Sequence, residues 1–190
     1  MKNPPEKNDY QSYAAFLRGI NVGGNSVIKM EDLRKELEAL GFRKVKTILA
    51  SGNVVFEAPA ENTPATLSQK ISIKLKERLG REVQVIVRQI DEIRKLEASQ
   101  PFKEIEVTEG TRLFVTFFRE SSKTKNKSAY KMPQGIRILS ASDGIICSVL
   151  EEQPGVDTVE LMGAIEKEYG REVTTRTWKT IERLLKASAI

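Results

Sequence analysis

The sequence predicts an α+β (α/β) protein made of two tandem ferredoxin-like units, with antiparallel-rich sheets, helices on one face and a C-terminal helix. Three observations predict it. Apolar strands and helical stripes follow the order βαββαβ in the first half. Gly80-Arg81-Glu82-Val83 recurs as Gly170-Arg171-Glu172-Val173 after a second helix. Ser51-Gly52-Asn53-Val54-Val55-Phe56 parallels Ser142-Asp143-Gly144-Ile145-Ile146-Cys147, and the spacing agrees: 29 residues from Ser51 to Gly80, 28 from Ser142 to Gly170.

Met1 to Ser12 is polar and carries Pro4 and Pro5, so 1–12 is expected to be a flexible N-terminus. The first unit is expected over 13–90. Tyr13 to Gly19 is a short apolar run, hence a strand. Met30, Leu33, Leu37 and Leu40 repeat at helical spacing, and Gly41 caps the helix. Lys46 to Ala50 and Val54 to Ala58 flank Ser51-Gly52-Asn53 as a hairpin. Thr63-Pro64 starts a helix whose apolar face is Leu67, Ile71, Leu75 and Leu79, closed by Gly80. Val83, Val85 and Val87 alternate as a strand. A linker, 91–110, carries a short helix around Ile93 and Leu96, broken before Pro101.

The second unit is expected over 111–190. Leu113 to Phe118 is a strand and Ser122 to Lys131 a short helix. Ile136 to Ser140 and Ile145 to Leu150 form a second hairpin. Asp157 and Glu160 cap a helix containing Leu161, Met162, Ile165 and Tyr169. Here the repeats diverge: Val173 runs into Thr174-Thr175, then into Trp178, Ile181, Leu184 and Leu185 at helical spacing, so a helix closes the unit.

Among the 190 residues there is no histidine. That excludes a Ser-His-Asp triad, a Cys-His dyad, an imidazole base and a His-ligated metal. One cysteine excludes an intrachain disulfide and a Cys-rich zinc site. No metal and no cofactor is expected. Cys147, in an apolar run, is expected to be a buried inert thiol. No apolar run is long enough for a transmembrane helix. The N-terminus lacks a signal peptide's apolar core, so no membrane partner and a cytoplasmic location are expected. The net charge is +5. It lies in residues 1–90, which hold 15 basic and 10 acidic side chains. Such a face attracts phosphates or nucleic acid, though weakly.

Arg18-Gly19-Ile20-Asn21-Val22-Gly23-Gly24-Asn25-Ser26 follows a strand and precedes a helix. The spacing of Gly19, Gly24 and Ser26 approaches a P-loop, but Asn25 stands where the phosphate-neutralising lysine belongs, so an ATPase is excluded. A phosphate or carboxylate cradle survives: glycine N–H groups, the following helix N-terminus, Arg18 and Lys29. The plain alternative is a turn made by Gly23-Gly24. Ser51 and Asn53 either face a ligand or serve the hairpin turn. Phe16 stands where an RNA-recognition module has one aromatic, but Asn53 and Val55 replace the others, so Phe16 is assigned to the core.

The basic stretch Lys123, Lys125, Lys127, Lys131, Arg137 and the acidic stretch Asp143, Glu151, Glu152, Asp157, Glu160 read as solvated surface, or as complementary faces of a homodimer. Thr174-Thr175-Arg176-Thr177-Trp178-Lys179-Thr180 surrounds the one tryptophan. Thr174 or Thr175 as a helix cap with Trp178 as a core anchor explains part of it. Arg176 at a helix N-terminus would complete an anion site with the glycine loop.

Leu17 to Gly24, Ser51 to Phe56 and Thr174 to Thr180 together resemble the signatures of a widespread, mostly bacterial family of uncharacterised proteins. The resemblance runs from about Tyr13 to Lys186 and departs at Thr177, where asparagine is common. It implies a two-part structure of ferredoxin-like units and brings no activity, substrate, cofactor or catalytic residue. Lys123 to Lys131 and the first dozen residues lie outside the motifs.

The leading functional expectation is binding of a phosphorylated or acidic ligand, a nucleotide or nucleic acid included. Its site is set between loop 18–26 and residues 174–179, with Arg18, Asn21, Gly23, Gly24, Lys29, Ser51, Asn53, Thr175, Arg176 and Trp178 as candidates. The alternatives are a protein-interaction module or homodimer, joined at open sheet edges, and a histidine-free enzyme of unknown reaction.

Overall fold

The computed structural model describes residues 10–21, 27–120 and 132–189. Their strands form two four-stranded antiparallel sheets, and the chain divides into two compact units: Met1–Lys95 with Glu182–Ile190, and Leu96–Ile181.

In unit 1, β1 (Tyr10–Leu17) lies between β3 (Asn53–Pro59) and β4 (Val85–Gln89), with β2 (Arg43–Ile48) outside β3. The order β2-β3-β1-β4 is that of a ferredoxin-like sheet. β1 starts three residues before the expected Tyr13. Tyr10, Gln11 and Ser12 pair with Pro59, Ala58 and Glu57, so 10–12 are strand rather than flexible terminus; 1–9 lie outside the described residues.

Helices α1 (Met30–Glu38) and α2 (Pro64–Leu79) cover one sheet face. Leu33 and Leu37 of α1 and Leu67, Ile71 and Leu75 of α2 are buried against Tyr13, Ala15, Leu17, Val54, Phe56 and Val87. Phe56 stacks between Tyr13 and Phe42, with ring centroids 5.8 and 4.6 Å away. α2 begins and ends as its residues dictate: Thr63 and Thr66 form a reciprocal capping box, Pro64 follows, and Gly80 takes φ 67°. Ser68 and Ser72 occupy the same helix for another reason. Val87 N–H donates to Ser68 Oγ at 3.1 Å, and Ser72 Oγ donates to Val83 O at 2.8 Å. The helix thereby satisfies the outer side of an edge strand.

In unit 2, β5 (Thr111–Phe118), β6 (Ile136–Ser142), β7 (Ile145–Glu151) and β8 (Val173–Thr177) give the order β6-β7-β5-β8, the same topology. α4 (Thr158–Tyr169) packs Leu161, Ile165 and Tyr169 on Phe114, Phe118, Ile146 and Leu150. Asp157 caps it, accepting from Val159 and Glu160 N–H at 2.7 and 3.1 Å. The expected helix at Ser122 to Lys131, with Lys123, Lys125 and Lys127, lies outside the described residues.

The threonine cluster is a correction. Thr174 and Thr175 are strand, not helix cap: β8 pairs with β5, placing Thr174 opposite Phe117 and Thr175 opposite Thr116. β-Branched residues suit a pleated surface, and a strand was available to pair with. The cap of α5 (Trp178–Ser188) is Thr177, whose Oγ1 accepts from Thr180 N–H at 3.3 Å. α3 (Ile90–Ala98) likewise follows β4 without a gap, so each half ends strand-then-helix.

Backbone bonds prove the repeat and reset its register. Leu17 and Phe118 N–H donate to Gly52 O and Gly144 O at 2.8 and 2.9 Å. Arg18 and Arg119 N–H donate to Gln84 O and Glu172 O at 2.8 and 3.0 Å. Gly52 therefore corresponds to Gly144, one residue beyond the sequence parallel. Val85 corresponds to Val173, since they stand opposite Leu17 and Phe118. The shared Gly-Arg-Glu-Val tetrapeptide is thus offset by two residues in space. Pairing across strands sets equivalence, and a loop absorbs the difference.

Candidate functional site

The end of β1 in unit 1 holds most of the sequence candidates. Gly19 and Asn21 take φ 64° and 60°, turning the chain out of the sheet. Asn21 then closes the loop. Its Oδ1 accepts from Ile28 N–H at 2.8 Å, and its Nδ2 donates to Ile28 O at 3.0 Å and Ala50 O at 3.2 Å. One amide side chain joins both sides of the loop 22–27 to the β2–β3 turn. Ile20 and Ile28 are buried beneath it. Gly23 and Gly24 lie outside the described residues.

Ser51 and Asn53 serve the turn. Asn53 is fully buried, and its Nδ2 donates to Ile48 O at 3.1 Å and Ser51 Oγ at 3.0 Å. Gly52, between them, has φ 77°, and a Cβ there would lie 2.9 Å from Leu17 Cβ and closer still to Ile20 Cγ2. Its counterpart Gly144 is flanked by Ile145, not asparagine. Asn53 is therefore peculiar to the first hairpin.

The cations remain at the loop's foot. Arg18 is half-buried, Lys29 is exposed immediately before α1, and Arg81 Nη2 reaches Gly19 O at 3.4 Å. Arg81 was not a sequence candidate. The repeated tetrapeptide containing it was visible, but its approach to Gly19, 62 residues away in the chain, was not.

In unit 2, Thr175 Oγ1 lies 2.8 Å from the Oγ1 of buried Thr116, a half-buried cross-strand hydroxyl pair. Arg176 Nη1 donates to Thr174 Oγ1 and Thr175 O at 2.8 and 2.9 Å. Burial penalises its charged form and lowers its pKa to about 10. Arg88 is the same position of the first repeat: it stands opposite Ala14 as Arg176 stands opposite Val115. Burial lowers its pKa too, with Glu92, 3.2 Å away, opposing. Four residues after Arg176 stands Thr180 instead of a carboxylate. Trp178 is half-buried and meets Phe102 edge-on, with centroids 5.2 Å apart.

Cys147 is buried, and burial raises its thiol pKa against the lowering effect of Ser140. Among the described residues no group of three or more Cys, Asp or Glu is placed to hold a metal. No described helix is long and apolar enough to cross a membrane.

These features define a duplicated α+β protein whose polar motif residues mostly brace loop ends. The chain belongs to the family described as Protein of unknown function (DUF1697), which it matches over residues 10–137. Its structure is similar to that of the conserved bacterial protein SP0830 from Streptococcus pneumoniae. The similarity covers 94% of this chain and 98% of that one, with a TM-score of 0.64 and 20% identity, and it shows the shared fold. Comparison with curated proteins gives no match.

Proposed function

We propose that the protein binds a phosphorylated or otherwise acidic small molecule, and that the foot of the β1–α1 loop in unit 1 takes its charge. One observation carries this reading: Asn21 holds Ile28 by both its backbone groups, close in sequence to Arg18 and Lys29, with Arg81 drawn to Gly19. Asn21 and Ile28 are held to each other before a ligand arrives, which lowers the ordering cost of binding beside them. Guanidinium groups suit planar or tetrahedral oxyanions. Asn21, Ser51 and Asn53 act here as scaffold. Thr175, Arg176 and Trp178 enter through a parallel variant in unit 2. A cytoplasmic setting belongs to this reading, consistent with a chain that carries one cysteine and no disulfide framework.

The test is calorimetric titration with pyrophosphate, nucleotides, acidic metabolites and short RNA or DNA at low and high salt. Arg18→Ala, Arg81→Ala and Arg176→Ala are compared with the parent. Salt-resistant binding of one compound class, lost in Arg18→Ala or Arg81→Ala with the fold retained, is expected. Binding of nucleic acid alone that vanishes with salt reduces the site to a general basic face. No binding by any compound overturns the proposal and returns weight to a homodimer or interaction module.

A further inference from the structure

Unit 2 contains an open cavity of about 410 Å³ lined by Glu97, Gln100, Pro101, Phe102, Lys103 and Trp178. Its size falls within the roughly 300–1,000 Å³ of small-molecule sites. Phe102 and Trp178 supply aromatic walls, Pro101 adds apolar surface, and a carboxylate, an amide and an ammonium group stand around them.

The walls are held in place. The edge-on contact with buried Phe102 braces the indole of Trp178, which stays half-exposed. The polar residues come from the last turn of α3 and the turns that follow it. Gln100 N–H donates to Glu97 O at 3.0 Å, Lys103 N–H to Gln100 O at 3.1 Å, and Ile105 N–H to Phe102 O at 3.0 Å. Gln100 itself sits at φ 49°. That is an unfavourable conformation for a side-chain-bearing residue, kept here at the cavity lip.

We propose that this cavity binds a nucleotide, with a purine base stacked on the indole of Trp178. Stacking is what an exposed aromatic face offers any base. The amide of Gln100 can pair with an adenine edge as both donor and acceptor. The Glu97 carboxylate accepts from an exocyclic amine, and Lys103 supplies one charge for a phosphate. A simple cation is disfavoured by Lys103 and a simple anion by Glu97; a ligand with an amine-bearing ring and a phosphate suits both. The site lies in unit 2 and does not depend on the loop of unit 1. A free nucleotide and an unstacked base of single-stranded RNA share this chemistry.

The test follows emission of the sole tryptophan, Trp178, in the full chain, titrated with adenosine monophosphate and, separately, with a short oligoadenylate. Lys103→Ala and Gln100→Gly are the variants. Both side chains are exposed, and glycine takes φ 49° without strain, so the fold is retained. Saturable quenching is expected. Each variant should weaken it roughly tenfold, the usual effect of losing a charge-assisted or well-formed hydrogen bond. A preference for the monomer identifies a free nucleotide as the source; preference for the oligomer identifies RNA. Absence of saturable quenching with both, or quenching indifferent to both variants, overturns the proposal.

Discussion

Asn21 offers the sharpest test of how the β1–α1 loop is held. Asn21→Gly keeps a residue at ease at φ 60° and deletes the side chain. Asn21→Ala deletes the same bonds and adds strain. Two of the three bonds go to buried Ile28, whose N–H and C=O would both lose their partner. At about 1 kcal/mol for each such bond, Asn21→Gly should cost about 2 kcal/mol. The bond to Ala50 is exposed, and water replaces it at little cost. The left-handed backbone adds about 1 kcal/mol for alanine, giving about 3 kcal/mol. Native-state amide exchange at 25 °C reads both levels. Exchange at Ile28 reports the loop, and exchange at Leu33 and Val54 reports opening of unit 1. Ile28 should lose protection first in both variants. Unchanged Ile28 exchange in Asn21→Gly, or two variants of equal stability, would refute the clasp.

Gly52→Ala should destabilise unit 1 by about 3 kcal/mol, from left-handed strain plus overlap with Leu17 and Ile20. Gly41→Ala has φ 82° but open space around the new Cβ and should cost only about 1 kcal/mol; urea denaturation should separate the two, and equal costs would contradict the close approach. Cys147 should resist a thiol-specific disulfide reagent at pH 8 until urea opens unit 2, because burial both shields it and raises its pKa. The same shift has a pH consequence. The folded state holds the thiol proton more tightly, so this contribution is whole below about pH 8.5 and declines as pH rises beyond it. Cys147→Ser, compared by urea midpoints from pH 7 to 10, should flatten part of that decline.

Local chemistry made some of this legible in advance. Thr63-Pro64 and Gly80 bound α2 where cap preferences put it, and the period of Leu33 and Leu37 marked α1. Phe16 was assigned to the core and is fully buried. Ser51 and Asn53 offered two readings, turn and ligand, and their side-chain bonds serve the turn. The β8 segment was misread because Val-Thr-Thr-Arg-Thr has no apolar alternation; its strand exists because β5 lies beside it.

The sequence by itself determined the element order of the first half, the duplicated α+β fold and the lack of imidazole chemistry, because period, capping and composition act within a few residues. Tertiary structure alone decided the repeat's register, the equivalence of Arg88 and Arg176, and the role of Asn21 as a clasp. It also brought Trp178 and Phe102, 76 residues apart, to one cavity. These depend on which distant backbone groups pair across a sheet, and strand pairing places side chains that no local pattern relates.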